Sequence, residues 1–121
     1  MKDTTTKHPT YFVDIDGTLI KYRSFQEIGI TKPKAIKSVL EKINTEFDKG
    51  AHIVVTSARP EALRRETIEE LFHIGLRYHQ LVLGIGRSTR YLVNDIDPEQ
   101  PEIPRAVAIN LIRNNGGIEL F

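Results

Sequence analysis

Short apolar runs alternate along the chain with longer amphipathic stretches, and this alternation limits the fold more than any other feature of the sequence. Each run is bounded by polar residues or glycine and is too short for a helix, so it predicts a buried strand. Five such runs lie at residues 11–15, 52–55, 81–83, 91–93 and 106–109. Because strands that alternate with helices usually pair in parallel, we expect an α/β fold, a single Rossmann-like domain with a central parallel sheet of about five strands flanked by helices.

Two helices are predicted between these strands. The first covers residues 33–49, where Pro33 suits the first turn and the chain breaks at Gly50. The second begins at Pro60 and closes near Gly75. Apolar positions recur at helical spacing, in the first helix at Ile36, Val39, Leu40, Ile43 and Phe47, and in the second at Leu63, Thr67, Ile68, Leu71 and Phe72. Residues 97–104 contain three prolines and three acids, which is typical of an irregular surface loop.

Length and composition restrict the domain organisation and the possible classes of function. The 121 residues suffice for one compact domain, and we expect a flexible segment at 1–10 followed by that domain at 11–121. The chain contains no cysteine, which excludes a disulfide framework, thiolate zinc sites and a cysteine nucleophile. A polar N-terminus and no apolar stretch of about 20 residues favour a cytoplasmic protein without a membrane partner. A net charge of +1 argues against binding to duplex nucleic acid.

The first strand ends in two closely spaced acids, Asp14 and Asp16, followed by Gly17. Carboxylates two residues apart on extended backbone point to the same side, and their repulsion favours a bound cation or a shared proton. Other strand ends carry polar residues as well, with Thr56, Ser57 and Arg59 after the second strand and Asn94 and Asp95 after the fourth. Since ligands of open parallel sheets bind outside the carboxyl ends of the strands, we expect these side chains to form one site.

The segment Asp14-Ile15-Asp16-Gly17-Thr18 resembles the first motif of the haloacid dehalogenase (HAD) superfamily of phosphohydrolases. The resemblance extends over roughly residues 11–112 and is closest to small capless members similar to phosphatases of polysaccharide and nucleotide-sugar pathways. It implies that Asp14 is the nucleophile that forms an aspartyl-phosphate and that Asp16 is the general acid and base. It also implies Mg²⁺ held by the Asp14 carboxylate and the backbone carbonyl of Asp16.

The other motifs of the superfamily are less complete here. Its second motif is a hydroxyl that binds the phosphoryl group, and both Ser57 and Thr56 are candidates, with Arg59 as a clamp for an anionic substrate. Its third motif is a lysine, but the last lysine of this chain is Lys49. The cations in the corresponding place are Arg87 and Arg90, and the loop position of Arg87 favours it.

The fourth motif is acidic and completes the metal site. Residues 91–95 are similar to a variant with Asn94 in place of the first acid, which leaves Asp95 as the direct metal ligand and Asn94 as a neutral ligand or its neighbour.

Together these residues predict a Mg²⁺-dependent phosphatase that hydrolyses a small phosphate monoester, by analogy a sugar phosphate, through an aspartyl-phosphate. A second hypothesis is a regulatory module that binds a phosphorylated ligand without turnover, motivated by the absent lysine. A third is a nucleic-acid 3′-phosphatase, which the near-neutral charge and the lack of a basic aromatic platform disfavour. In a capless protein the site is open, so a second subunit of a homo-oligomer is a candidate for covering it.

Overall fold

A computed structural model describes residues 8–117 of the chain. It contains three strands, β1 (Thr10–Asp14), β2 (His52–Thr56) and β3 (Gln80–Val82). The strands form one parallel sheet in the order β1-β2-β3, with Asp14 opposite Thr56 and Thr56 opposite Val82. Two helices connect them, α1 (Lys37–Asp48) between β1 and β2 and α2 (Arg64–Ile74) between β2 and β3. The fold is therefore α/β with a parallel sheet, as the alternating pattern predicted.

The hydrophobic core lies on one face of the sheet. Val13 of β1 and Val55 of β2 pack there with Ile43 of α1 and Leu71 of α2. Successive strand residues point to opposite faces, so Phe12 lies on the other side of the sheet and is 57% exposed. Both helices therefore contribute to the same core, and Asp14 shares its face with Phe12.

Helix α1 begins four residues later than the sequence predicts. The Lys21 N–H donates to the Lys34 carbonyl at 2.8 Å, and the Ile36 N–H donates to the Leu19 carbonyl at 2.8 Å. These bonds hold Lys34 and Ile36 against the segment after β1, and the first helical bond runs from the Leu40 N–H to the Ile36 carbonyl at 3.1 Å. The helix therefore begins only after Ile36. The predicted apolar stripe of α1 is confirmed, with Val39 and Ile43 fully buried.

Helix α2 buries only part of its predicted stripe, with Thr67 and Leu71 fully buried. A short 3₁₀ turn at Glu61–Leu63 precedes it, and Gly75 ends it in the left-handed conformation. Thr67 and Glu70 are buried, whereas Ile68 is 44% and Phe72 85% exposed. The predicted burial of Ile68 and Phe72 is therefore wrong. The polar side chains turn inward because a buried arginine, described below, needs them as hydrogen-bond partners.

The predicted fourth and fifth strands do not form. Residues 91–93 and 106–109 have no strand pairing in the described part of the chain, and Val93 is 92% exposed. The expectation of a five-stranded sheet is thus wrong for this structure, which has three strands. A strand exists only through its pairing partner, and runs of three or four apolar residues do not specify one. The irregular loop at 97–104 contains turns, with the Gln100 N–H donating to the Asp97 carbonyl at 3.0 Å.

The predicted flexible segment at 1–10 is only partly covered by the described residues. Residues 1–7 of the predicted flexible segment lie outside them, whereas the Pro9 carbonyl accepts a hydrogen bond from the His52 N–H at 3.0 Å and β1 begins at Thr10. Among residues 8–117, none of the helices has the length and apolar character needed to cross a membrane.

Candidate functional site

A tightly closed turn follows β1 and carries the first motif. The Ile15 carbonyl accepts hydrogen bonds from the N–H groups of Thr18, Leu19 and Ile20 at 3.1, 2.8 and 3.0 Å. Ile15, Leu19 and Ile20 are fully buried and anchor the turn in the core. The Thr18 hydroxyl lies 3.4 Å from Asp14 Oδ2 and donates to it. The local sequence thus fixes where Asp14 and Asp16 sit at the carboxyl edge of the sheet.

Gly17 has a φ of +88° in this turn, and a Cβ added there would lie 3.0 Å from the Arg113 Cγ. Gly75 has a similar φ of +80° but no neighbouring atom within 4 Å of such a Cβ. We expect Gly75→Ala to cost about 1–2 kcal/mol from backbone strain alone and Gly17→Ala to cost more. Urea denaturation of the two variants tests this; equal losses would mean that the contact with Arg113 contributes nothing.

Arg59 is fully buried and holds Asp16 through two hydrogen bonds. Its Nε donates to Asp16 Oδ2 at 3.0 Å and its Nη2 to Asp16 Oδ1 at 2.9 Å. Its Nη1 donates to the Thr67 hydroxyl and to Glu70 Oε1, both at 3.1 Å. A guanidinium matches a carboxylate with two parallel bonds, so the Asp16 side chain is held in one orientation.

Glu70 extends this network to the segment after β1. Its Oε1 also accepts from Arg23 Nη2 at 2.5 Å, and Arg23 Nη1 donates to the Thr31 carbonyl at 2.8 Å. The side chains of Glu70 and Arg23 are 8% and 9% exposed. Burial works to lower the pKa of Arg59, but its hydrogen bonds and the charges of Asp16 and Glu70 outweigh burial and raise that pKa. Arg59 is therefore a fixed cation, and its predicted role as a clamp that touches substrate is replaced by one in which it orients Asp16.

The two hydroxyl candidates occupy different places. Ser57 is 1% exposed and lines the cleft beside Asp14, and its Oγ accepts a hydrogen bond from the Arg59 N–H at 3.0 Å. Its hydroxyl proton is therefore available for another acceptor. Thr56 ends β2 and is not among the residues that line the cleft. The geometry favours Ser57.

The strand-end residues open into a cleft of about 170 Å³. Its lining consists of two acids, three arginines, two aromatic residues and two small residues: Asp14, Asp16, Arg87, Arg90, Arg113, Tyr22, Phe25, Ser57 and Ala58. A larger open groove of about 700 Å³ runs between residues 28–33 and α2, but it contains none of the strand-end residues. The smaller cleft is therefore the candidate site.

The structure separates the two arginines that the sequence left as alternatives. Arg90 Nη2 lies 4.0 Å from Asp14 Oδ1, whereas the Arg87 Cζ lies 4.3 Å from the centre of the Phe25 ring. Arg90 is thus the cation nearest the proposed nucleophile, which reverses the order that loop position favoured.

Asn94 and Asp95 do not line the cleft. Both are exposed, and Asp95 pairs with Arg105 at 3.6 Å. Among residues 8–117, no three histidine or acidic side chains come together as a metal-binding group. Because residues 91–93 form no strand beside β1, Asp95 is not held at the edge of the sheet, and its role as a metal ligand stays a prediction.

Sequence reasoning missed Arg113 and the aromatic residues of the cleft. The Asn114 N–H donates to the Gly17 carbonyl at 2.8 Å, and its Oδ1 accepts from the Tyr22 N–H at 2.7 Å. These bonds dock the end of the described chain onto the first motif. Asn114 has a φ of +65°, and the run of asparagine and glycine there signals a turn but not where that turn packs.

Asp14 is partly buried, with 36% of its side chain exposed. Burial raises the pKa of the Asp14 carboxyl, and the charge of Asp16 adds to this, while Arg90, the Ile15 N–H and the Thr18 hydroxyl act in the opposite direction. The ionised form is therefore less favourable in the folded protein than in the unfolded chain.

This shift predicts a specific pH dependence of stability. The folded state binds the Asp14 proton more tightly, so the protein loses stability as pH rises from the ordinary aspartate pKa through the raised one. We expect the melting temperature of Asp14→Asn to exceed that of wild type at neutral pH, with the gap closing in acid. Measurements with a chelator present test this; a gap that is constant or of opposite sign contradicts it.

Comparison with known proteins identifies no relative: no family model matches the chain, and neither the curated proteins nor the solved structures contain a match.

Proposed function

We propose that this chain is a Mg²⁺-dependent phosphatase that hydrolyses the phosphate monoester of a small metabolite, such as a sugar phosphate, through an aspartyl-phosphate. One observation carries the proposal: Asp14 opens into a cleft lined by three arginines, next to a second carboxylate held in place by a buried arginine. The arginines attract a phosphate, and the paired acids offer a nucleophile and a proton carrier.

The reaction needs two steps. A carboxylate oxygen of Asp14 forms a bond to phosphorus as the bond from phosphorus to the alcohol oxygen breaks. Asp16 enters this step as the carboxylic acid and transfers its proton to the departing alcohol oxygen. Asp16 then takes a proton from water as the water oxygen attacks phosphorus and frees Asp14. Arg59 occupies one lone pair on each Asp16 oxygen, and a second lone pair on each remains to carry the proton.

Arg90 and Ser57 stabilise the transferring group in this scheme. Charge spreads over the equatorial oxygens of the phosphoryl group during transfer, and donors already fixed in position stabilise it at little reorganisation cost. Arg90 lies beside Asp14, and the Ser57 hydroxyl, whose oxygen accepts from the Arg59 backbone N–H, can still donate its own proton.

Mg²⁺ fits this donor set when the substrate contributes to its coordination. The ion takes oxygen ligands, often only one or two carboxylates together with phosphate oxygens and waters. Asp14 and the backbone carbonyl of Asp16 are the residues that would hold it, since the Asp16 carboxylate is engaged by Arg59. Bound there, the ion would neutralise charge on the phosphoryl oxygens.

A module that binds a phosphorylated ligand without turnover is the second candidate. It is favoured by the placement of Asp95, which pairs with Arg105 outside the cleft, and by the arginine that stands where the superfamily has lysine. In that case Asp14 supports ligand binding and no covalent step occurs.

A panel of phosphate monoesters separates the two candidates. For the phosphatase we expect phosphate release with Mg²⁺, loss of release with a chelator, and recovery when Mg²⁺ is restored. For the binding module we expect no release from any ester, together with a higher melting temperature in the presence of at least one of them. Release that is equal with and without chelator would contradict the role of Mg²⁺.

A further inference from the structure

The lining of the cleft contains three arginines but only two carboxylates. Asp16 is paired with Arg59, and Asp14 has Arg90 at 4.0 Å. Arg87 and Arg113 also line the cleft, but neither makes a hydrogen bond or an ion pair within residues 8–117. Two positive charges therefore face the cleft without a carboxylate partner among the residues that the structure describes.

Both of these arginines are exposed, and each lies over an aromatic ring. The Arg87 Cζ lies 4.3 Å from the centre of the Phe25 ring, and the Arg113 Cζ lies 4.1 Å from that of Tyr22. A guanidinium over a ring gains cation–π attraction and keeps the N–H donors at its edge available. The stem of Arg113 passes close to Gly17, since a Cβ added to Gly17 would lie 3.0 Å from the Arg113 Cγ. These side chains are therefore positioned to accept an anion.

Their position differs from that of Arg90. Tyr22 and Phe25 belong to the segment between β1 and α1, so Arg87 and Arg113 lie along that wall of the cleft, whereas Arg90 lies beside Asp14. Binding sites for whole small molecules usually enclose about 300–1,000 Å³. At about 170 Å³ this cleft is smaller than that, so we expect it to hold the charged groups of a substrate and not the whole molecule.

We propose that the substrate carries a second anionic group, a carboxylate or another phosphate, which Arg87 and Arg113 bind while the phosphoryl group lies against Asp14. This inference rests on the proposed function for the placement of the phosphoryl group. It narrows the substrate class from phosphate monoesters in general to small metabolites with two anionic groups. Arg87 and Arg113 are then specificity-determining residues.

Matched substrate pairs test the proposal. Fructose 1,6-bisphosphate is compared with fructose 6-phosphate, and 3-phosphoglycerate with glycerol 3-phosphate. We expect wild type to favour the member with the second anionic group in kcat/KM by about 10- to 100-fold, the range for a hydrogen bond to a charged group. Arg113→Gln and Arg87→Gln keep much of the stem and should reduce this ratio, and Arg113→Lys should restore part of it.

Arg77 is a matched control. Its Cζ lies 5.8 Å from the centre of the Phe47 ring and it pairs with Asp48 at 2.9 Å, outside the cleft. Arg77→Gln should leave the substrate ratio unchanged. Equal kcat/KM within both pairs in wild type, or equal losses on both members in the Arg113 and Arg87 variants, would overturn the proposal.

Binding to Asp14→Asn keeps this test separate from the proposed function. Without turnover, 3-phosphoglycerate and fructose 1,6-bisphosphate should raise the melting temperature of this variant more than their partners do. One outcome is that wild type hydrolyses none of the four compounds, while the difference in melting temperature is present in Asp14→Asn and is lost when Arg113→Gln is added. In that case the phosphatase proposal fails and the second anion site stands. If the difference is absent, the inference fails even where hydrolysis occurs.

Discussion

Under the proposed mechanism, replacing Asp14 by asparagine should abolish phosphate release, with a fall in kcat on the order of 10⁴-fold or more, as measured when enzymes lose a nucleophile. Asparagine has nearly the shape of aspartate, but its neutral amide oxygen is a poor nucleophile and a weaker ligand for Mg²⁺. Asp14 faces the cleft, so the substitution leaves the core unchanged. Phosphate release across the ester panel with Mg²⁺ measures the effect.

The same experiment distinguishes loss of chemistry from loss of structure. Because burial raises the pKa of Asp14, the asparagine variant should be at least as stable as wild type at neutral pH. Asp48→Asn removes an exposed carboxylate that pairs with Arg77 and serves as the control with full activity. Comparable phosphate release by wild type and Asp14→Asn would rule out the aspartyl-phosphate mechanism.

Replacing Arg59 by methionine should cost about 3–5 kcal/mol of folding free energy, because removing one partner of a buried ion pair leaves the other charge uncompensated. Arg59 is fully buried, and the side chains of Asp16 and Glu70 are only 9% and 8% exposed. The variant leaves Asp16 without both of its guanidinium hydrogen bonds and leaves Glu70 with Arg23 alone. Urea and thermal denaturation measure the loss.

Arg77→Met is the matched control, since the ion pair of Arg77 with Asp48 is exposed and should contribute less than about 1 kcal/mol. Combining Arg59→Met with Glu70→Met should cost less than the sum of the single substitutions, because the two share one network. A loss for Arg59→Met no larger than that for Arg77→Met would contradict the network's role in the fold.

The orientation of α2 shows where sequence patterns misled the prediction. Ile68 and Phe72 have helical spacing and look like core residues, yet they are exposed. Glu70, a polar residue outside the predicted stripe, is buried in their stead, and together with Thr67 it accepts hydrogen bonds from Arg59, which follows β2. Leaving a buried guanidinium unpaired costs more than exposing two apolar side chains, and so the polar face turns inward. No local pattern reveals that requirement.

The candidate site was predictable only in part, because some of its residues reach the cleft through contacts that no local sequence pattern reveals. Asp14, Asp16 and Ser57 follow strands whose apolar character is evident, and the structure brings all three to one cleft. Arg113 reaches the same cleft from nearly a hundred residues further along the chain, and only its docking through Asn114 and Gly17 shows this. Asp95 was predicted to join them, but its placement depended on a strand at 91–93 that does not form.

By itself the sequence determined β1, the turn after it, β2 and both helical segments, because each is specified by neighbours within a few residues: an apolar run, a glycine in the left-handed region, a helical repeat. The tertiary structure alone decided that Arg59 orients Asp16, that Arg90 rather than Arg87 stands nearest Asp14, and that the sheet has three strands. These outcomes depend on contacts between distant parts of the chain, where burial of charge and the presence of a pairing partner outweigh local preference.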